Sequence, residues 1–363
     1  MLRTALLLAL LVCPAALAAA GAQNAPPANL FQEIFPQPSG QNGYEEIVAA
    51  GEMLAKSALM VDGEQTGLDT LTLTKKRALL ADPPVRDALI LFRQGLTKSL
   101  NAPRDRPQEA TYKAFAVYRR LARVLAFVEP YVYCADGRVN QAIDSLEDVL
   151  RLGYALQRDS LIGGLVGVAV DAIATQAIQR RLDQLSDKDC RRLMRLAKAW
   201  HDAPDPAIEA MAAERELVLK GLVSELPPDA NFPREQVLAA VRLRLDHYAA
   251  NLTKPVWERR APLPLQGNPV VANYVNNLGQ TLDPLFEGAQ TVFVRDQAKI
   301  QILGVHAAIR SYRWEHDALP GSLDLIKLGP LGLDPFTGKP LHYRVTGSTS
   351  YELMSEGLKP LAP

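Results

Sequence analysis

The stretch DSLIGGLVGVAVDAIATQAIQRRL, residues 159–182, decides how this chain folds. Read at helical pitch it is apolar on nearly every side until Gln176, and a helix without a polar face has to be enclosed by other elements. It predicts the central helix of a bundle. Gly163, Gly164 and Gly167 fall inside it; each costs about 1 kcal/mol of helix propensity against Ala, a cost that close approach of a neighbouring helix offsets. Among the later apolar runs, residues 161–170 come closest to membrane-spanning length, and Asp171 ends the run. No integral membrane segment is therefore expected in the mature chain.

Outward from this helix the patterns become one-sided. RVNQAIDSLEDVLRLGYALQ (138–157) places Ala142, Leu146, Val149, Gly153 and Leu156 at alternating spacings of four and three, one close-packed helical face. The preceding ADGR (135–138) is a tight turn, so the helices on either side form an antiparallel hairpin, similar to a tetratricopeptide-like unit. No second copy follows at a fixed period. Further upstream, YKAFAVYRRLARVLAFVEPYVYC (112–134) is a helix broken or kinked at Pro130. ADPPVRDALILFRQGL (81–96) opens with Asp82 as cap and proline in its first turn. YEEIVAAGEMLAKSALM (44–60) carries helically spaced Ile47, Ala50, Leu54 and Ala58.

Downstream, SDKDCRRLMRLAKAW (186–200) starts with Ser186 as cap and Asp189 three residues on, a capping box with the shorter acid. Helices follow over 205–226 and 233–252, and APLPLQGNP (261–269) is the best internal boundary. Residues 270–317 read as a long helical segment interrupted near Pro284, with Ala298, Ile302, Val305, Ile309 and Tyr312 again four and three apart. HYRVTG and YELMS then predict two strands of a hairpin around TGSTS (346–350). The fold class is thus mainly α: a helical bundle or hairpin array with a small C-terminal α+β element. Its divisions are a linker at 23–42, a helical domain at 43–260, a linker at 261–269, and a long helix with hairpin at 270–363.

Charge and targeting narrow the setting. Forty basic residues against forty acidic ones leave a formal net charge of zero over 363 residues, so no global field draws the chain to nucleic acid. Residues 1–22 have the anatomy of a secretory signal peptide: Arg3, an apolar core from Ala5 to Val12, and small residues suited to cleavage after Ala18 or Ala22. The alternative is a lipoprotein signal at LLVC, with Cys13 carrying the lipid. The expected location is the periplasm or outside the cell. There Cys134 and Cys190 either pair or stand as two buried thiols. With five scattered histidines and neither CxxC nor HExxH spacing, a tetrahedral metal site is not announced, and no cofactor is expected.

The most specific local pattern is DPFTGKPLHYR (334–344). Pro335 biases Asp334 away from helix while Asp334 forms an Asx turn, Thr337 and Gly338 reverse the chain, and Pro340 starts or edges a strand. Tyr343 and Tyr351 are expected to cross the hairpin and cover the long helix. A helix ending AIRSYRWEHDALPGSLDLI (308–326), then this segment, then YELMSEG (351–357) resembles the C-terminal part of the major pseudopilins of type II secretion, the protein G-like family. The matching residues are Tyr312, His316, Leu319, Pro320, Asp334, Pro335, Gly338, Pro340, Tyr343, Tyr351, Ser355 and Gly357. The resemblance covers about the last seventy residues. It implies a fold element; a pseudopilin's N-terminal apolar helix is not in the matching place, and EGLKPLAP (356–363) stands where many carry an acidic calcium-binding tail, so neither filament assembly nor calcium carries over. The whole chain resembles a group of secreted bacterial proteins in which a helical domain precedes such a tail, a likeness that implies no activity.

Single residues offer few catalytic candidates. Asp171 in the apolar helix is either a functional acid with a raised pKa or a carboxylate paired with Arg158, Arg180 or a neighbouring helix. His306 and His316, nearly three turns apart, are about 15 Å from one another and share no metal. Glu209, Glu214 and Glu216 read as the solvated face of a helix rather than a glycosidase pair. No GxSxG, SxxK, P-loop or dinucleotide glycine pattern occurs. Three functions follow as expectations: an exported helical scaffold binding an envelope protein or peptide; a secretion-system accessory using the pseudopilin-like tail; and an extracytoplasmic hydrolase. An exposed apolar groove would favour the first, a tail surface free of the helical domain the second, and a deep pocket joining His and carboxylates the third.

Overall fold

The structure is a computed structural model that describes residues 30, 34, 39–60, 67–102, 108–227 and 231–358. The signal peptide and Cys13 lie outside these residues. The described chain is mainly helical, with a small C-terminal two-stranded antiparallel sheet. The helices are α1 (Tyr44–Leu54), α2 (Leu73–Ala81), α3 (Pro83–Leu96), α4 (Gln108–Phe127), α5 (Glu129–Ala135), α6 (Val139–Gln157), α7 (Leu161–Gln179), α8 (Asp187–Asp202), α9 (Pro206–Glu225), α10 (Arg234–Leu252) and α11 (Pro269–His316). A short parallel pair, β1 (Ser39–Asn42) with β2 (Lys98–Ser99), closes the N-terminal end, and β3 (His342–Val345) pairs with β4 (Tyr351–Met354) at the C-terminal end.

The helix predicted to be central is central. Ser160 caps α7 by accepting from the Gly163 N–H, and the helix packs on α6 and α11. A Cβ on Gly167 would overlap the Gly153 carbonyl of α6, and one on Gly164 would overlap the Phe293 ring of α11. These two glycines let the neighbours approach, whereas Gly163 sits over its own cap, against Asp159 and Ser160. By length and composition α7 could cross a membrane, with mean hydropathy 1.8, but 56% of that stretch is buried by the protein itself.

Several local predictions hold. The chain breaks at Val128 between α4 and α5, and Gly137 (φ 73°) turns it into α6. Both arms of the capping box at Ser186 and Asp189 are made. At α3, Asp82 is the N-cap position, yet its carboxylate accepts from the Ser57 hydroxyl at 2.5 Å instead of capping the helix. Buried Glu129 at the start of α5 is held by Arg93 of α3, at 2.6 Å, and by the Ser145 hydroxyl of α6, also at 2.6 Å.

Other boundaries move. The linker expected at 23–42 contributes β1 and the buried Ile34, whose carbonyl accepts from Arg151 at 2.6 Å. α1 stops at Leu54 and leaves Ala58 exposed. Pro284 does not interrupt α11, which runs unbroken for 48 residues. The missing N–H is tolerated because both sides of the proline are anchored: Asp283 pairs with Arg244 of α10, and Phe286 is buried in the core. The extended segment at 261–268 joins elements without separating cores, since α11 contributes to all three apolar clusters. Ile300, Leu303 and Ala307 belong to the cluster built by α1–α4 and α6–α8. Phe286, Ala289 and Phe293 join that of α9 and α10, and Ile302, Val305 and Ile309 pack under the tail.

The tail is stitched down by its punctuation. The Asp334 carboxylate accepts from the Phe336 N–H (2.8 Å), the Ser355 hydroxyl (3.0 Å) and the Glu356 N–H (2.6 Å), so one buried side chain makes the Asx turn and ties the far end of the hairpin to it. Gly338 adopts φ 69° and lies against the Trp257 indole, Pro340 bridges to Leu333, and the Tyr343 and Tyr351 rings lie 5.7 Å apart. Tyr351 reaches the long helix through a 2.7 Å hydrogen bond with His306 Nδ1. Cys134 and Cys190 are free thiols, so the disulfide alternative is not realised. Replacing Asp334 by Ala leaves three donors without their acceptor, at about 1 to 3 kcal/mol for each that stays buried. We expect D334A to speed hydrogen exchange across 342–354 at least tenfold while α4 and α6 keep their protection.

Candidate functional site

A cleft of about 380 Å³ opens between the helical body and the tail, a volume within the range of small-ligand sites. Its apolar wall is Pro255, Val256 and Trp257 after α10, together with Pro330, Leu333 and Pro335 of the tail. Its polar groups come from separate elements: His201 of α8, Asp205 ahead of α9, Arg259 after α10, and Gln297 and Gln301 of α11. Trp257 is 44% exposed. Of the tail residues predicted from sequence, Asp334, Pro335 and Gly338 line this cleft, while Pro340, Tyr343 and Tyr351 serve the hairpin and the long helix.

Burial acts on Asp205, Arg259 and His201. The Asp205 carboxylate caps α9 through the Ala207 N–H at 2.9 Å, and burial raises its pKa. Burial lowers that of the Arg259 guanidinium, whose Nε donates to the Lys254 carbonyl at 3.2 Å. Among the described residues no carboxylate lies within ion-pair distance of Arg259. His201 has its pKa lowered by burial and stays neutral at pH 7.

Beneath the cleft, and sharing Asp205, Arg259 and Gln297 with it, lies a cavity of about 30 Å³ whose floor includes Gln157 and Asp296. Asp296 leads back to Asp171. The two carboxyl groups are in hydrogen-bonding contact, both fully buried. Gln157 Nε2 spans them, donating to Asp171 Oδ2 at 2.5 Å and to Asp296 Oδ2 at 3.0 Å. Among the described residues the two Oδ1 atoms have no other hydrogen-bond donor. One proton shared between the carboxyl groups supplies what both lack. Burial, and for Asp171 the neighbouring Asp296 charge, raise the pKa values of the pair, which accordingly holds that proton well above the ordinary carboxyl range. Gly153 makes room for it, because a Cβ there would overlap the Asp171 carboxyl group.

Of the partners expected for Asp171, the neighbouring helix is the one found, through Gln157 of α6 and Asp296 of α11, and the two arginines are not. Arg158 pairs instead with Glu209 at 2.8 Å, and Arg180 with Asp69 at 3.0 Å. A carboxyl pair sharing a proton can act as acid and base, but the space at its edge holds about one water, so this pair faces no substrate-sized volume. Glu209 and Glu214 are likewise spent, the latter accepting from the Leu161 N–H at 3.3 Å. His306 is committed to Tyr351, and His316 stacks on Tyr312 at 4.0 Å. Among the described residues no His, Cys, Asp and Glu side chains cluster as metal ligands.

Asp296, Gln157, Asp205, Trp257 and Arg259 were not singled out by sequence reasoning. Only Asp296 carries a readable signal, an acid within the apolar face of TVFVRDQAKIQIL (291–303). Compared with models of protein families, with curated proteins and with solved structures, the chain matches none.

The pair sets a pH dependence. Folding raises these carboxyl pKa values above about 3.9, so the folded protein keeps a proton that the unfolded chain releases. The stability this supplies is full below the ordinary carboxyl range and falls as pH rises through the window up to the raised values. Asn at 171 needs no shared proton and still donates to Asp296. D171N should gain on the wild type from pH 5 to pH 8, by at most about 1.4 kcal/mol per pH unit, the slope for one proton. Denaturant titrations at the two pH values check this, and parallel profiles would refute proton sharing.

Proposed function

We propose that the protein is an exported helical interaction protein of the cell envelope that holds an extended peptide segment of a partner in the cleft beside Trp257. The observation that carries this reading is the composition of the cleft: an exposed indole flanked by prolines from both the body and the tail, beside the Arg259 guanidinium, which has no ion-pair partner among the described residues. Aromatic and proline walls suit extended, low-entropy peptide backbones, and a half-buried arginine suits a carboxylate. The segment best matched pairs an acidic side chain with a neighbouring apolar or proline residue. Export rests on the signal-like residues 1–22.

The tetratricopeptide-like character of α5 and α6 and the pseudopilin-like character of the tail belong to the same proposal. A helical hairpin array supplies the rigid wall, and the tail supplies the second. The secretion-accessory reading needs the tail surface free, whereas here Gly338 sits against Trp257 and the hairpin rests on α11. The hydrolase reading gains His201 and Asp205 in one cleft, without a nucleophile bonded to either among the described residues.

Truncation at 269 would remove α11 and with it part of every core, so substitutions are the sharper probe. A displayed peptide library selected on the mature protein should enrich acidic-apolar sequences. W257A and R259Q should each weaken the selected peptide at least tenfold, with helicity unchanged. Peptides that bind both variants as tightly as the wild type would move the site elsewhere, and an unenriched library would end the proposal.

A further inference from the structure

A second pocket, of about 180 Å³, lies where the C-terminal end of α7 meets α2, α4 and α5. Cations dominate its walls. Lys76 of α2 is only 1% exposed, yet its ammonium donates to a backbone carbonyl, that of Asp69, at 3.1 Å and sits 4.0 Å over the Tyr131 ring. No carboxylate lies within ion-pair distance of it among the described residues. Arg181 donates to the Ala177 carbonyl at 3.1 Å and meets the Cys134 thiol, again with no carboxylate in that range. Arg180 is paired with Asp69, and its guanidinium lies 5.6 Å from the Phe127 ring centroid. Among the described residues, three cations therefore face one carboxylate.

A structural role explains part of this. Arginines at a helix C-terminus are favoured by its dipole and by its free carbonyls, which accounts for Arg180 and Arg181. It does not account for Lys76, which comes from another helix and is buried beside them. Burying an ammonium next to like charges costs stability that an apolar side chain would not cost. The strain registers on the amine itself: burial and the Arg181 charge bring its pKa down to about 8.

We infer that this pocket binds a small molecule carrying a phosphate monoester, its oxyanion between Lys76 and Arg181 and its organic part against Phe127 and Tyr131. A dianion balances the two surplus positive charges. The pocket exceeds by several-fold the roughly 30 Å³ that one water occupies, which leaves room for the organic part, and the half-exposed Arg180 side chain marks the way in. The site is separate from the Trp257 cleft and does not depend on the function proposed for it.

Calorimetric titration of the mature protein with phenyl phosphate, inorganic phosphate and sodium chloride at one ionic strength tests it. Phenyl phosphate should bind at one saturable site, tighter than inorganic phosphate, with no response to chloride. K76M should abolish binding without lowering the melting temperature, and R180Q, altering a half-exposed side chain, should weaken it at least fivefold. Should K76M fail to fold, R180Q decides. Absence of saturable heat, or affinity unchanged in R180Q, would overturn the site, and equal affinities for the two phosphates would overturn the monoester assignment.

Discussion

Everything in this molecule depends on α11 being one unbroken helix. At about 1.5 Å per residue its 48 residues extend roughly 70 Å, and its faces enter the cores of the N-terminal helices, of α9 and α10, and of the tail. A helix of that length lying across a bundle is stable because burial along successive faces replaces what propensity alone would not supply. Gly279 and Gly304 show how tightly it is held: a Cβ at the first would overlap the Arg244 guanidinium, and at the second the Ala197 side chain of α8. Pro284 survives inside it for the same reason. The helix on either side is fixed by contacts that would all be lost if the chain broke there.

The same dependence explains what could be read in advance. Features that one segment decides for itself were legible: the all-round apolarity of α7, the Ser186 capping box, the turn at Gly137, and the hairpin with its Asx turn at Asp334. Features decided by a distant partner were not. A proline in a helical pattern reads as a break, and only the packing of α10 against Asp283 and Phe286 makes Pro284 an interior residue. A proline-rich stretch such as 261–269 reads as a boundary, and only the shared cores make it a connection. Asp171 was visible as an anomaly, but its partner lies on α11 and their common donor, Gln157, is 139 residues from Asp296 in sequence.

The carboxyl pair and the glycines around it form one device. A buried polar group demands a partner, and a second carboxyl group is an unusual choice, since it stabilises the first only while a proton lies between them. Gln157 then bonds both remaining oxygens, so three side chains from α6, α7 and α11 fix the relative positions of three helices. Gly153 and Gly167 bring α6 and α7 close enough for this contact, which places the small residues and the acid in one structural role. Hydrophobic side chains at these sites would pack as densely but would tolerate a helix sliding by a fraction of a turn, whereas hydrogen bonds of 2.5 and 3.0 Å do not.

A formal charge of zero conceals how unevenly the charge is distributed. At the Gln157 end of α6, burial and a neighbouring carboxyl group force acids to keep a proton; at the C-terminal end of α7, burial and neighbouring guanidinium groups loosen the proton of Lys76. In both places the chain holds like charges together out of water, which no gain in packing requires. The first arrangement resolves itself with a proton and an amide, both available from water and from the chain. The second has only Asp69 to set against three cations, and nothing within the described residues completes the balance. The asymmetry between a cluster that closes on itself and one that stays open separates a structural polar network from a binding site.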